Sequence, residues 1–284
     1  MRMNKFGFLS LGLIGGSIAM AIRHINPDAC IVAYARRQST LDEALAVGAI
    51  NEGTTKINEL FSDCDMIFLC APVAVNNKLL EQLKPLLSEK TILTDVGSVK
   101  GAIHETVCAL GLENRFIGGH PMTGSEKTGF ANANHGILKN AYYILTPTET
   151  VSKEAVAEYY ALVEELGCLP LILGCEEHDY VTAAVSHVPH LAAAALTNLV
   201  RDSDTANGTM KQIAAGGFKD ITRIASASPD MWESICMANA ENIADLLDDY
   251  ICSLQAISKA VRAKQQGFTY DLFTASKEYR DSFT

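Results

Sequence analysis

The chain has 284 residues, 48% of them hydrophobic, and a formal net charge of −10 at pH 7. That length allows two domains and a sizeable core, while an acidic chain with no basic patch or lysine-rich tail is excluded as a nucleic-acid binder, because neutralising phosphates needs clustered cations. The eight cysteines, at 30, 64, 70, 108, 168, 175, 236 and 252, include no C-x-x-C pair and no histidine at zinc-finger spacing. They read as small apolar fillers in a reducing cytoplasm, with neither disulfides nor a metal expected. No basic leader and no apolar run of membrane-spanning length is read, so no membrane partner is expected.

Residues 5–11 are an apolar run that breaks into Gly12-Leu13-Ile14-Gly15-Gly16-Ser17, with helical spacing to about residue 23. This is strand, tight turn, helix. In a dinucleotide fold that turn carries G-x-G-x-x-G, so that backbone amides and a helix N-terminus meet a pyrophosphate without an intervening Cβ. Here it reads Ser10-Leu11-Gly12-Leu13-Ile14-Gly15, with serine in place of the first glycine. Gly12, Leu13, Ile14 and Gly15 are therefore cofactor-binding candidates.

Residues 31–35 form a second strand. An acid that accepts from the ribose 2′-hydroxyl belongs at its end, about 20 residues past the motif, but the sequence there is Tyr34-Ala35-Arg36-Arg37. Arg36 and Arg37 suit a 2′-phosphate, so the cofactor is read as NAD(P)+ with NADP favoured. The competing reading is two solvated arginines and NAD.

Further strands are expected at 66–70, 92–95, 116–119, 142–146 and 169–173, with helices at 41–47, 75–87, from about 98, and at 153–166. The alternation is that of a parallel sheet covered on both faces, extending to about residue 174. Ala71 and Pro72 follow the third of these strands and Asp95 ends the fourth, on the carboxyl edge where the nicotinamide half of a cofactor lies. After residue 174 the runs are alanine-rich and helical, at 179–201, 210–215 and 231–264. The expected architecture is thus an α/β Rossmann-type dinucleotide-binding domain (1–174) followed by an all-α domain (175–284). The last helix carries Ile235, Ala238, Ile243, Leu246, Leu247, Tyr250, Ile251, Leu254 and Ile257, a stripe broad enough for a central core helix or for a subunit interface. The tail after residue 264 is polar with scattered aromatics.

The segment Gly118-Gly119-His120-Pro121-Met122-Thr123-Gly124-Ser125-Glu126 reads as an irregular turn that presents His120 from a loop. Alone, such a histidine is more readily a solvated or capping residue than a catalytic one.

Taken together, Gly12-Leu13-Ile14-Gly15-Gly16-Ser17, Asp95-Val96-Gly97-Ser98-Val99-Lys100, Gly119-His120-Pro121-Met122, Ser186-His187-Val188-Pro189-His190 and Phe218-Lys219-Asp220-Ile221-Thr222-Arg223 resemble prephenate dehydrogenases of tyrosine biosynthesis, in order from residue 6 to about 260. The resemblance implies NAD(P)-dependent oxidative decarboxylation of prephenate to 4-hydroxyphenylpyruvate, a homodimer through the helical domain, and an active site between the domains. Losing a hydride from the ring alcohol while its hydroxyl proton departs suits a neutral imidazole, which makes His120 the candidate base. The resemblance puts Ser98 near the same hydroxyl, although Ser98 also reads as the N-cap of the following helix. It puts Arg223 on a substrate carboxylate, with Asp220 three residues earlier able to orient it, or with the two forming a surface salt bridge. His190, Ser186, Ser125 and Glu126 are implied at the substrate pocket, His187 reads as a buried, bonded histidine, and Trp232 as core, interface or lining. Arogenate is the rival substrate, and a catalytically silent nucleotide sensor the rival outside enzymes.

Overall fold

The computed structural model describes residues 3–124 and 127–283. Its first part alternates β1 (Lys5–Leu9), α1 (Leu13–Ile25), β2 (Cys30–Tyr34), α2 (Gln38–Ala46), β3 (Glu52–Thr54), β4 (Met66–Leu69), α3 (Val73–Leu83), β5 (Ile92–Asp95) and α4 (Gly101–Ala109). The five strands make a parallel sheet in the order β3-β2-β1-β4-β5. Strand order reverses direction at β1 and β4, which leaves a crevice at their carboxyl ends. Strand β4 is Met-Ile-Phe-Leu with all four residues fully buried, as a strand covered on both faces must be.

Strand β3 has no apolar run to announce it, because Glu-Gly-Thr at the sheet edge carries no apolar side chain. A Cβ on its Gly53 would lie 2.8 Å from a Leu41 methyl, so α2 packs directly against main chain there.

The expectation of one parallel sheet to residue 174 is corrected. Strands β6 (Ile117–Pro121), β7 (Tyr142–Pro147) and β8 (Leu169–Ile172) form a second sheet, in which β7 is antiparallel to β6 and parallel to β8. Among the described residues, the connection between β6 and β7 holds only two short 3-10 turns, Phe130–Asn132 and His135–Leu138. A parallel return needs a crossover element, and helix α5 (Lys153–Glu165) supplies one only between β7 and β8. A bridge between Leu93 and Phe116 joins the sheets and runs parallel. The carboxyl end of β6 therefore emerges on the same edge as those of β1, β4 and β5.

Beyond β8 the chain is helical: α6 (Cys175–Thr182), a five-residue π segment (Ala183–His187), α7 (Val188–Ser203), α8 (Thr209–Ile213), α9 (Gly216–Thr222), α10 (Pro229–Ala238), α11 (Ala240–Arg262) and α12 (Gln266–Asp281). Residues Cys175–Ser203 run as one 29-residue helix, which by length and composition alone is apolar enough to cross a membrane, a property the sequence reading did not assign. It also carries much of the candidate site, described below. The helix expected at 231–264 is two helices meeting at Asn239, whose side-chain amide donates inward to the Asp179 carbonyl at 2.7 Å. The tail forms a helix of its own.

Candidate active site

At the nucleotide edge, Gly12 stands at the N-cap of α1, no side chain caps that helix, and a Cβ on Gly12 would meet nothing within 4 Å. The uncapped first turn, approached across open space, fits a phosphate. Leu13 and Ile14 begin the helix, and Gly15 has a packing role, since a Cβ there would lie 2.9 Å from Cys70 and from the Ser10 carbonyl. Ser10 holds φ 84, a conformation suited to the glycine it replaces, and its amide bonds the Tyr34 carbonyl at 2.8 Å. Arg36 and Arg37 are exposed beyond β2, and neither guanidinium has a partner among the described residues. Ala71 and Pro72 open α3, pinned by Asn76, which accepts from the Ala71 amide at 3.2 Å and donates to its carbonyl at 2.7 Å.

Asp95, expected at the cofactor, ends β5 with its side chain inside the protein. Its carboxylate is fully buried, pairs with the fully buried Lys100 ammonium, and accepts from the amides of Gly97 at 2.9 Å and Gly119 at 3.2 Å. Lys100 also donates to the Gly119 carbonyl at 2.8 Å. A Cβ on Gly119 would sit 2.6 Å from the Asp95 carbonyl and 2.8 Å from the Tyr159 hydroxyl. The two glycines before His120 are thus needed for close packing, not for a turn.

His120 itself lies in β6, paired with Ile144, and not in a loop after it. It is 8% exposed. Burial first, then the nearby Lys100, His178 and His187, hold its pKa well below the ordinary histidine value, so the ring is uncharged at neutral pH. Its Nδ1 lies 2.8 Å from His178 Nε2, and His178 Nδ1 lies 2.8 Å from Asp179 Oδ1. Asp179 in turn accepts from the amides of Lys100 and Gly101, each at 2.8 Å. Ser98 therefore is not the N-cap of α4. That position is Lys100, and the cap is a carboxylate from the helical domain. Ser98 remains half-buried, two residues before the capped amides.

From Asp179 the contacts continue through Asn239, which reaches the Asp179 carbonyl and lies 3.2 Å from His187 Nδ1. His187 is buried, as expected, and desolvation takes its pKa down to about 4. Its ring meets Trp232 edge-on at 5.9 Å, and His190 stacks on the same indole at 3.9 Å. His190 donates from Nδ1 to the Ser186 carbonyl at 2.9 Å. Its pKa is lowered by burial and, among lesser causes, by the charge of Arg223, which brings that guanidinium into the same neighbourhood. Arg223 begins the turn after α9 and is exposed. No ion pair joins it to Asp220 among the described residues, so the expected orienting pair is not formed. Ser125 and Glu126 lie outside the described residues.

One contact path thus links His120, His178, Asp179, Asn239, His187, Trp232 and His190, with the charge of Arg223 felt at its far end. The sequence reading missed Lys100, His178, Asp179 and Asn239. For the second and third, the available signal was an ionisable pair near the start of a long alanine-rich helix.

Residues 18–169 match the family model "Prephenate dehydrogenase, nucleotide-binding domain", and residues 174–275 match "Prephenate dehydrogenase, dimerization domain". The chain is 35% identical over 273 residues to the prephenate dehydrogenase of Bacillus subtilis, covering 95% of this chain and 74% of that protein. Among solved structures it is similar to the A. aeolicus prephenate dehydrogenase in complex with hydroxyphenyl propionate and NAD+, with 31% identity, 99% of each chain covered and a TM-score of 0.91. It is also similar to Synechocystis arogenate dehydrogenase, with 30% identity, 99% of this chain and 100% of that one covered, and a TM-score of 0.87. With both of its halves matched in order, the chain belongs to the prephenate dehydrogenase family of nucleotide-dependent oxidoreductases.

Proposed function

We propose that the protein is a cytoplasmic prephenate dehydrogenase of L-tyrosine biosynthesis, converting prephenate to 4-hydroxyphenylpyruvate and carbon dioxide as NAD(P)+ is reduced. The observation that carries this reading is His120, an uncharged, nearly buried imidazole at the carboxyl edge of a dinucleotide fold. The bound nicotinamide supplies the hydride acceptor. His120 takes the proton of the ring hydroxyl, and Ser98 hydrogen-bonds the same oxygen. Arg223, His190 and Ser186 bind the substrate's carboxylate end, where the planar guanidinium grips a carboxylate at two points. Asp220, Ser125 and Glu126 shape the approach to that end. Once the ring carbonyl forms, loss of carbon dioxide aromatises the ring and needs little further help.

His120→Asn is expected to lower kcat by ~10²-fold or more with cofactor affinity kept. Near-normal turnover would remove His120 from the mechanism. Gly12, Leu13, Ile14 and Gly15 cradle the pyrophosphate, and Ala71 and Pro72 flank the nicotinamide half. Arg36 and Arg37, with no acid beside them, favour NADP. A higher kcat/KM with NAD than with NADP would refute that preference.

Arogenate is the second reading, favoured by the likeness to the Synechocystis enzyme. Assaying both substrates separates the two, because only the prephenate reading expects reduction of the cofactor with the keto acid. A homodimer through the helical domain fits the apolar stripe of α11. Ile243 is buried, whereas Tyr250, Ile251 and Leu254 are exposed in the single chain, a face that a second copy would cover.

A further inference from the structure

We propose that His178 and Asp179 are positioning residues that hold His120 in the tautomer whose Nε2 is bare and able to accept a proton. The inference rests on the reading of His120 as the proton acceptor and deepens it.

An ionised carboxylate can only accept hydrogen bonds. Burial works to raise the Asp179 carboxyl, but the bonds from His178 and from the amides of Lys100 and Gly101 outweigh it and hold the group below its usual range. The two backbone amides have no other role available to them, so Asp179 stays an acceptor whatever its histidine neighbour does. At 2.8 Å from Asp179 Oδ1, His178 Nδ1 must then be the donor. In an uncharged His178 the other ring nitrogen, Nε2, is left as a bare acceptor. It lies 2.8 Å from His120 Nδ1, so that contact is a hydrogen bond only if His120 carries its proton on Nδ1. His120 Nε2 is left without a proton. The carboxylate thus fixes the protonation pattern of two successive rings, as the orienting member of a catalytic triad does for one.

When His120 accepts the hydroxyl proton at Nε2, it becomes an imidazolium whose Nδ1–H still donates to His178. No proton has to travel along the chain, and Asp179 supplies the compensating charge two rings away. The charges nearest this path are balanced, because Lys100 is paired with Asp95. His178 and Asp179 belong to α6 and His120 to β6, so the same bonds tie the helical domain to the nucleotide edge and align His120 with the Ser98 segment.

The test has two arms on the full chain. In the first, 15N NMR of histidine-labelled native protein reads the His120 tautomer at pH 7, and a proton on Nδ1 with a bare Nε2 is expected. A His120 carrying its proton on Nε2, or a doubly protonated His178, would overturn the proposal. In the second, prephenate turnover is compared in His178→Leu and His178→Gln. Glutamine keeps an acceptor near the Nε2 position and leucine does not. Leucine is expected to lower kcat by ~10- to 100-fold with KM for the cofactor unchanged, and glutamine to recover most of that loss. Equal activity in the two variants would overturn the proposal. If His120→Asn instead retained turnover, the acceptor reading would fail while the tautomer measurement stood by itself.

Discussion

Lys100→Met tests whether the buried pair under His120 holds the site together. Lys100 and Asp95 are both fully buried, and the ammonium donates to the carboxylate and to the Gly119 carbonyl at 2.8 Å. Methionine has nearly the volume of the lysine stem and leaves the carboxylate with two amide donors and no counter-charge. Removing one partner of a buried pair costs about 3–5 kcal/mol, a large share of the roughly 5–15 kcal/mol that holds a typical domain folded. The double variant Asp95→Asn/Lys100→Met removes both charges and keeps an acceptor for the Gly119 amide, so it should lie within about 1–2 kcal/mol of the native protein. The assay is urea unfolding at pH 7 followed by far-UV circular dichroism, with midpoints compared at a common slope. A Lys100→Met variant within about 1 kcal/mol of native would refute the reasoning, and so would a double variant no better than the single.

Two further predictions concern strain and pH. Ser10→Gly relieves a positive φ that costs a non-glycine residue on the order of 1–3 kcal/mol; set against the greater flexibility of glycine, a net gain of up to about 1 kcal/mol is expected, and a lower melting temperature would contradict it. His187 has its folded pKa lowered to about 4 from a reference value of 6.5, so between those values the unfolded chain binds a proton that the native state refuses. Stability should therefore fall as pH drops from 6.5 to 4, by up to roughly 3 kcal/mol from this group, and level off below. Unfolding free energies at pH 7 and 4.5 should show a smaller acid loss in His187→Gln, and an unchanged loss would remove His187 as its source.

The nucleotide domain was legible wherever a short apolar stretch is followed by a turn, as in β1, β2, β4 and β5. Strand β3 was not, because Glu-Gly-Thr at a sheet edge buries nothing that patterning could register. His120 was found by its neighbours in sequence but assigned to a loop. Glycine and proline carry a turn signal, whereas here both glycines answer to a crowded interior that only the fold reveals. Asp220 and Arg223 fell at helical spacing, yet α9 ends at Thr222 and the geometry changes between them. Asp179 reaches Lys100 across 79 positions of sequence, a pairing that no local pattern encodes.

The break in the long helix explains how one element serves both ends of the site. Pro189 has no amide to donate to the carbonyl four residues back, and the Val188 amide bonds the Ala183 carbonyl five residues back, forming the π segment. At about 100° per residue, twelve steps of regular helix would put His190 roughly 120° around the axis from His178. A π turn takes in one extra residue, which returns about 100° and leaves the two side chains within roughly 20° of one another. His178 can then meet His120 on the nucleotide domain while His190, about 18 Å along the axis, stacks on Trp232. Proline at 189 is therefore a condition of the site's alignment, and the histidines on either side of it belong to one face because of it.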